Sequence, residues 1–389
     1  MIPEMLLAFD ARIVHYRRGG IGQYSMSLLK AMARAPEMAA QGRMLVLQMR
    51  GHRETLVRDR RFTRVPMWTP PHNRFEQPAL GLELLKLRPR PQLIHSPDFI
   101  PPRYRLFPAV ANVHDLAFLK LPEVTLLTEE SKRYYGQVYD AARDAEALIA
   151  HSQSARDDIV SLLGVKPDKV AVIPGAAGEQ YKPPEDLPEA QRVAARIFGL
   201  PVPESGGYIL FVSTIEPRKN LTTLLEAYSL LRASKHVALL PQLAVAGREG
   251  WLYGQVPARI RELNLTEHVR LLGEVPEGRL PDLYRGARVF AMPSLYEGFG
   301  LPALEALACG VPVLASDRGS LPEVVGEAGL LLDPHDPKAW AAAIERVLED
   351  EDEAGRLRHA GPGRAAMFSW DRAAAQTWEL YESVVSTDH

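Results

Sequence analysis

The stretch Pro293–Ser316, PSLYEGFGLPALEALACGVPVLAS, contains the unit around which the rest of the chain can be interpreted. Its apolar spacing predicts the end of a strand, a glycine turn, a helix and a second strand. Gly298 and Gly300 lack a Cβ atom, so backbone N–H groups can approach a ligand closely, and a helix N-terminus attracts anions. Two carboxylates, Glu297 in the turn and Glu305 eight residues later in the helix, flank this candidate phosphate site.

The two carboxylates indicate what else the ligand carries. They repel a phosphate but accept hydrogen bonds from hydroxyls, so a nucleotide sugar, which has both groups, fits the pattern. One alternative is an ordinary strand–turn–helix with a capping glutamate. Another is a dinucleotide-binding turn, because Gly298, Gly300 and Ala303 match G-x-G-x-x-A and Asp317 follows the next strand. Position argues against it, since that motif opens a six-stranded domain and only 72 residues follow Asp317.

The motif E-G-F-G-L-P-x-x-E, followed by a Pro-Val strand, resembles the E-x7-E signature of the group 1 (family 4) retaining glycosyltransferases that use nucleotide sugars. The resemblance implies the GT-B fold: two Rossmann-like, doubly wound, parallel-sheet α/β domains facing a central cleft. It also implies that the last helix crosses back to the first domain. Within the motif it assigns the donor to the two glutamates and to Gly298, Phe299, Gly300 and Leu301.

Composition indicates an ordinary globular protein of two domains. The chain has 389 residues, of which 46% are hydrophobic and 24% charged. Its one cysteine, Cys309, cannot form an internal disulfide, which fits a reducing compartment. The start has no charged region typical of a signal peptide, and no run of about 18 apolar residues predicts a membrane span. We therefore expect a cytoplasmic protein.

The charge is unevenly distributed. Residues 1–185 carry 26 Lys and Arg against 20 Asp and Glu, whereas the remainder carries 20 against 28. Six arginines and two acids lie between Arg50 and Arg64, a density that could contact an anionic membrane peripherally. A solvated face is the equal alternative. We expect no nucleic-acid partner.

Strands alternate with helices in residues 1–185 and again in 205–368, which predicts parallel sheets. The Pro- and acid-rich run 181–205 shows no apolar period and is predicted to link the domains. The first domain would bind the acceptor and the second the nucleotide sugar. Ser369–Val385 has the pattern of a final helix, and residues 369–389 would join the first domain.

The first domain offers two candidate site features. Residues 17–22, RRGGIG, lie between the strand Met5–Asp10 and a helix predicted from Gln23, so Gly19, Gly20 and Gly22 form either a ligand loop or a plain tight turn. His114 ends the strand predicted from Ala109, at the sheet edge where ligands gather. A lone histidine is more often structural, but the resemblance assigns this position to contact with the donor sugar, and likewise the glycines to its N-terminal glycine loop.

The second domain has a basic pair. Arg218 and Lys219 precede a helix, where two cations oppose the helix dipole unless an anion joins them. A solvated turn is the alternative, and the resemblance assigns the pair to the pyrophosphate. It also places the loops after the next two strands near the nucleobase, which makes the candidate base neighbours Gly247, Arg248, Gly273 and Val275.

No metal or cofactor is predicted. Asp350 and Asp352 match the D-x-D metal motif of the other glycosyltransferase fold, but they lie in an acidic run without a neighbouring histidine or strand. We interpret them as surface residues.

E-P-R-K-N, together with V-H-D-L, looks most like bacterial mannosyltransferases that use GDP-mannose, with UDP-glucose or another UDP-sugar as the alternative donor. The expected activity is retaining, metal-independent hexosyl transfer to a sugar or lipid-linked acceptor. Glu297 would hold donor-sugar hydroxyls, Glu305 the ribose hydroxyls, and Arg218 and Lys219 the leaving diphosphate. Rival classes are a catalytically silent sugar-nucleotide binding protein and a dinucleotide oxidoreductase.

Overall fold

The computed structural model describes residues 5–16, 20–72, 75–98, 101–103, 105–125, 128–200, 206–234 and 240–387. The chain forms two compact units. The first consists of Met1–Gly175 with Ser369–His389, and the second of Ala176–Phe368. Among the described residues, no helix has the length and apolarity needed to cross a membrane.

The first unit contains a seven-stranded parallel sheet with the strand order β3-β2-β1-β4-β5-β6-β7. Most residues of its central strands are buried, as expected when helices cover both faces of a parallel sheet. The strands are β1 (Met5–Asp10), β2 (Gly42–Met49), β3 (Phe62–Met67), β4 (Leu93–Ser96), β5 (Ala109–Asn112), β6 (Ala147–Ala150) and β7 (Val170–Val172).

The helices of the first unit connect these strands. They are α1 (Ile13–Tyr16), α2 (Gly20–Arg34), α3 (Pro36–Gln41), α4 (Glu76–Leu84), α5 (Ala117–Lys120), α6 (Pro122–Thr125), α7 (Glu129–Asp144), α8 (Gln153–Leu163) and the final helix α17 (Trp370–Thr387), with a 3-10 turn at Pro167–Lys169.

The final helix packs on the first unit, as predicted. Trp378 and Tyr381 of α17 are 2% and 0% exposed in the core shared with β1 and α2. A Cβ atom at Gly42, where β2 begins, would lie 2.8 Å from the Trp378 ring. The side chain of Trp378 therefore fills the space that this glycine leaves.

The second unit contains a six-stranded parallel sheet with the order β10-β9-β8-β11-β12-β13. Its strands are β8 (Tyr208–Val212), β9 (Leu243–Ala246), β10 (Val269–Gly273), β11 (Ala287–Met292), β12 (Val313–Ser316) and β13 (Gly329–Leu332). Its helices are α9 (Leu187–Phe198), α10 (Leu221–Ser234), α11 (Gln255–Glu262), α12 (Leu280–Arg285), α13 (Leu301–Ala308), α14 (Leu321–Val325), α15 (Pro337–Glu349) and α16 (Glu351–Ala365), with 3-10 turns at Pro217–Lys219, Glu277–Arg279 and Gly326–Ala328.

The two sheets confirm the predicted pair of Rossmann-like α/β domains. In each, the order reverses direction beside the first strand, between β1 and β4 in the first sheet and between β8 and β11 in the second. Such a switch point opens a crevice at the carboxyl ends of the strands, where ligands bind in doubly wound folds.

In residues 181–200, the described part of the predicted linker 181–205, the structure differs from the prediction. Residues 201–205 lie outside the described residues. The described part contains α9, whose first turn is capped by Asp186 and which ends at Gly199 in the left-handed region, with φ 62°. Ala194 and Ala195 lie in the core of the second unit. The segment therefore belongs to that unit, because its small apolar residues recur at helical spacing among the acids and prolines that dominate its composition.

Candidate active site

The turn after β8 is tied to the end of β11. Asn220 has a left-handed backbone, with φ 54°, and its side-chain amide donates to the carbonyl oxygens of Pro293 at 3.0 Å and Pro334 at 2.7 Å. The backbone N–H of Leu295 donates to the carbonyl of Arg218 at 2.9 Å. These bonds join the loops after β8 and β11, which meet at the switch point of the second sheet, and a third loop after β13.

Four charged side chains lie in these loops. Lys219 Nζ contacts both carboxylate oxygens of Glu297, at 2.7 and 2.9 Å. Arg218 donates from Nε to Glu216 at 2.9 Å, and its Nη1 lies 3.5 Å from Glu297. Lys219 is only 8% exposed, and Glu216 and Glu297 are 7% exposed. The predicted catalytic residues Arg218, Lys219 and Glu297 are thus brought together.

The buried network is electrically balanced. Removing a charge from water is costly unless it is paired and hydrogen-bonded, and here two acids, Glu216 and Glu297, neutralise two bases. Glu216 did not enter the predicted site. Its position one residue before Pro-Arg-Lys is the signal in the sequence, since a buried cation needs a nearby acid.

The backbone of Glu297 is held from the loop after β12. Its carbonyl oxygen accepts hydrogen bonds from the N–H of Ser320 at 3.1 Å and from its Oγ at 3.0 Å. Gly319 has φ 59°, and a Cβ there would lie 2.5 Å from the same carbonyl oxygen. Gly319 and Ser320 therefore position Glu297 without contacting its carboxylate, a role that sequence reasoning missed.

The glycine turn leads from Glu297 into α13. Gly300, with φ 94°, precedes the helix, and its carbonyl accepts from the N–H of Ala303 at 3.0 Å. The left-handed conformation explains the glycine, because other residues rarely adopt it. Phe299 packs edge-on against Phe368, with ring centroids 5.7 Å apart. The predicted strand, turn and helix are confirmed here, with Leu301 as the first helical residue.

Glu305 has a different set of partners from Glu297. Tyr284 Oη donates to Glu305 Oε2 over 2.9 Å. Burial raises the pKa of Glu305 to about 7, although the hydroxyls of Tyr284 and Tyr181 act in the opposite direction. The carboxyl therefore changes charge near neutral pH.

The predicted base neighbours hold three loops together. Gly247 donates its N–H to the carbonyl of Gly273 at 2.8 Å, and Ile215 donates to the carbonyl of Arg248 at 2.9 Å. A Cβ at Gly247 would lie 1.6 Å from the carbonyl oxygen of Ser213. Close backbone packing alone therefore requires this glycine, and contact with a nucleobase stays a prediction for all four residues. Val275 packs against the core of the second unit.

His114 lies in the first unit, two residues beyond the end of β5. Its Nε2 donates to the carbonyl of Pro97 at 2.6 Å, so in the neutral ring Nδ1 is an acceptor. Burial lowers its pKa, which favours the neutral form. The ring lies 5.4 Å from Tyr24 and 4.7 Å from His151, measured between centroids. His114 can thus accept a hydrogen bond from a ligand hydroxyl.

The N-terminal glycines differ in part from the prediction. Within the described residues, helix α2 runs from Gly20, so Gly20 and Gly22, which were predicted to lie in a loop, are helical. Gly19 lies outside the described residues.

The acidic run near residue 350 has a structural explanation. Asp350 caps helix α16 by accepting from the N–H of Glu353 at 3.0 Å, and Asp352 lies in its first turn. Within the described ranges, no group of three or more His, Cys, Asp or Glu side chains is arranged to hold a metal ion.

Comparisons with known proteins agree on the family. The model of the glycosyl transferases group 1 matches residues 195–364, and that of glycosyltransferase family 4 matches residues 18–177. The chain is 32% identical to O-antigen chain mannosyltransferase B of Escherichia coli over 97% of this chain and 100% of that protein. It is also 32% identical to the D-inositol 3-phosphate glycosyltransferase of Jonesia denitrificans over 71% of this chain and 66% of that protein.

The fold also matches solved structures. Sucrose-phosphate synthase from Thermosynechococcus elongatus aligns with a TM-score of 0.78 at 22% identity, covering 99% of this chain and 100% of that one. At this identity the match supports the shared two-domain fold.

The titration of Glu305 gives a testable stability profile. The folded state keeps its proton to about pH 7, whereas the unfolded state releases it near the ordinary value. The contribution of Glu305 to the free energy of unfolding is therefore complete below about pH 4.5. It falls by about 3 kcal/mol as the pH rises to 7. In urea unfolding, the free energy of unfolding of Glu305→Gln should rise relative to that of the wild type by about 3 kcal/mol between pH 4.5 and 7.5. The exposed Glu349→Gln serves as the control, and parallel curves for Glu305→Gln and the wild type would contradict the assignment.

Proposed function

We propose that this chain, which belongs to the group 1 glycosyltransferases, transfers mannose from GDP-mannose to a sugar or lipid-linked acceptor, with retention of anomeric configuration. The observation that carries the proposal is the buried network of Glu216, Arg218, Lys219 and Glu297 at the switch point of the second sheet. The similarity to an O-antigen chain mannosyltransferase across nearly the whole chain supports mannose as the sugar.

The network has the chemistry that a diphosphate donor needs. Arg218 and Lys219 are held in fixed positions, so they can stabilise charge that develops on the leaving diphosphate without reorganising. Their acidic partners keep them in place before the ligand arrives. In this proposal the cations replace a metal ion, and the ribose hydroxyls bind Glu305.

The proposed transfer occurs on one face of the sugar. The bond from C1 to the leaving phosphate oxygen breaks, the acceptor oxygen forms a bond to C1 on the same face, and the acceptor hydroxyl proton passes to the leaving phosphate. Glu297 would hold sugar hydroxyls in this scheme. Its two carboxylate oxygens both contact Lys219, which weakens it as a covalent nucleophile. The anomeric configuration of the product, measured by NMR, distinguishes retention from inversion.

The donor assignment is tested by calorimetric titration with GDP and UDP. We expect tighter binding of GDP, and the double variant Arg218→Gln/Lys219→Gln should weaken it at least tenfold, or about 1.4 kcal/mol. The control double variant Arg261→Ala/Arg279→Ala changes two exposed cations of the same unit and should leave affinity unchanged. Preference for UDP would favour a UDP-sugar donor instead. Unchanged GDP affinity in a folded Arg218→Gln/Lys219→Gln variant would refute the diphosphate site.

The role proposed for His114 separates turnover from nucleotide affinity. His114 would contact the transferred sugar, so His114→Ala should slow GDP release from GDP-mannose by about tenfold or more, the cost of one hydrogen bond made in the transition state. GDP affinity should stay within about twofold, and the exposed His359→Ala provides the control. The same assay with EDTA should give the wild-type rate unchanged if no metal takes part. An equal loss of turnover and affinity in His114→Ala would contradict a role confined to the transferred sugar.

A peripheral membrane contact is proposed for the first unit. Trp68 is 68% exposed, with the guanidinium of Arg50 3.9 Å from its ring centroid. The backbone N–H of Trp68 donates to the carboxylate of Glu83 on α4 at 2.8 Å. The neighbouring Leu82 of α4 is 61% exposed. Aromatic, aliphatic and basic side chains suit an anionic lipid surface.

Cosedimentation with vesicles tests this contact. We expect binding to phosphatidylglycerol vesicles but not to phosphatidylcholine vesicles, and a loss of bound protein in Trp68→Ala. Leu331→Ala, exposed in the second unit, is the matched control. Equal sedimentation with both lipids would exclude the charge-based contact.

A further inference from the structure

A chain of hydrogen bonds crosses the first sheet near its carboxyl edge through four buried side chains, Tyr381, His95, Asn112 and His151, which we call the histidine chain. His95 lies in β4, Asn112 ends β5, His151 directly follows β6, and Tyr381 lies in the final helix α17. His95 Nδ1 lies 2.5 Å from Tyr381 Oη, and its Nε2 lies 2.5 Å from Asn112 Oδ1. Asn112 Nδ2 lies 3.3 Å from His151 Nε2, and His151 Nδ1 lies 3.0 Å from the carbonyl oxygen of Ile173.

The carbonyl of Ile173 fixes the direction of every bond in the histidine chain. A carbonyl oxygen only accepts, so His151 Nδ1 carries the proton and Nε2 of the neutral ring accepts. The amide nitrogen of Asn112 then donates to His151, and the amide oxygen accepts from His95 Nε2. His95 Nδ1 is therefore an acceptor, and the Tyr381 hydroxyl donates to it. With the Asn112 amide turned over, its oxygen would face the unprotonated Nε2 of His151, which leaves two acceptors in contact.

Burial keeps both histidines of the chain neutral. It lowers the pKa of His95 to about 4 and that of His151 to about 3. A second proton on His151 would bring two donors face to face, its Nε2–H and the amide nitrogen of Asn112. The histidine chain therefore has one order of protons, and a buried network whose members are all paired holds its side chains in a single arrangement.

The same strand ends hold His114. Asn112 lies two residues before His114, and His95 lies two residues before Pro97, whose carbonyl accepts from His114 Nε2 at 2.6 Å. The bond between His95 and Asn112 thus joins the two segments that position the His114 ring. The ring of His151 packs against that of His114, with centroids 4.7 Å apart and planes inclined by 30°. A change in the histidine chain would therefore reach His114 by two routes.

We propose that the members of the histidine chain are positioning residues for His114, and that the final helix α17 thereby contributes to the transfer reaction. The inference rests on the proposed function, in which His114 contacts the transferred sugar. The histidine chain holds the Nε2–H of His114 toward the carbonyl of Pro97, so that Nδ1 is the acceptor for a ligand hydroxyl. In this role its members act through His114 and need no contact with the donor.

Long-range nitrogen–proton NMR of the full-length chain with isotope-labelled histidine tests the order of protons without any activity. At neutral pH the wild type should carry the ring proton on Nε2 in His95 and His114 and on Nδ1 in His151, with signals assigned from single histidine variants. The isosteric Asn112→Asp replaces the donating amide nitrogen with an acceptor, so His151 should gain a proton on Nε2. Tyr381→Phe should shift the Nδ1 signal of His95 and both nitrogen signals of His114.

Kinetics test whether the histidine chain acts through His114. Tyr381→Phe removes only a hydroxyl, and it should lower kcat for GDP release from GDP-mannose on the order of tenfold, because a small displacement of a contact group is costly in the transition state. GDP affinity should stay within about twofold. In the His114→Ala background the same substitution should change kcat by less than about twofold, since its effect depends on the missing ring. Tyr139→Phe, at a tyrosine of α7 in the same unit, is the control and should match the wild type in turnover and in its histidine signals.

A conservative variant separates the order of donors and acceptors from simple packing. The side-chain amide of His95→Gln can accept from Tyr381 and donate to Asn112, so this variant should retain more turnover than His95→Leu, which can do neither. Melting temperatures show which variants are folded.

The proposal is overturned if His95 or His151 of the wild type carries its proton on the opposite nitrogen. It is also overturned if folded Tyr381→Phe turns over like the wild type, or slows turnover equally with and without the His114 ring. Absence of GDP release from GDP-mannose in the wild type would instead refute the proposed function. The histidine signals of the wild type and Tyr381→Phe would then still decide whether the histidine chain positions His114.

Discussion

The buried ion pair between Lys219 and Glu297 is the interaction on which the site of the second unit depends. Neither charge could stay in this environment alone, because an unpaired buried ion costs several kcal/mol. The pair in turn requires the loops after β8 and β11 to keep their relative positions. The side-chain amide of Asn220 holds them by donating hydrogen bonds to the carbonyls of Pro293 and Pro334. Ser320 then fixes the backbone of Glu297. Specific positioning, rather than net stabilisation, is the physical reason to retain such a pair.

The local part of this arrangement could be predicted from the sequence. Glycines beside an apolar helix and strand predicted the turn at Gly298–Gly300, and consecutive basic residues predicted a site at Arg218 and Lys219. Each signal lies within its own strand–turn–helix unit, between β11 and α13 or between β8 and α10, so short-range spacing is sufficient. The partners of Glu305 could not be predicted in this way. Tyr181 and Tyr284 reach it from distant parts of the chain, and nothing in their spacing indicates that they meet.

Two further features were not predicted, one because it depends on sheet order and one because of composition. Asp10 and Ser96 become neighbours at the edge of the first sheet only because β4 lies beside β1, although β2 and β3 intervene in sequence. Helix α9 was not predicted because prolines and acids dominate the composition of its segment. Its buried face consists of small residues, Ala194 and Ala195, which give a weak helical pattern. Small apolar residues give a weak periodic signal, but they pack closely enough to place the helix in the core.

The two switch points share a topology and differ in how their cations are used, and this difference bears on which ligand each can take. In the second unit, two cations face two acids, and Arg218 lies 3.5 Å from Glu297, so the numbers of acids and bases are equal. In the first unit, Arg12 makes its short contacts to two carboxylates and a carbonyl, and a third carboxylate, Asp98, lines the small cavity beside Arg12. An anion there would add negative charge to three carboxylates and one arginine, which is unfavourable. The strand order places both charged clusters at the carboxyl ends of strands, whereas the ratio of acids to bases differs between the two.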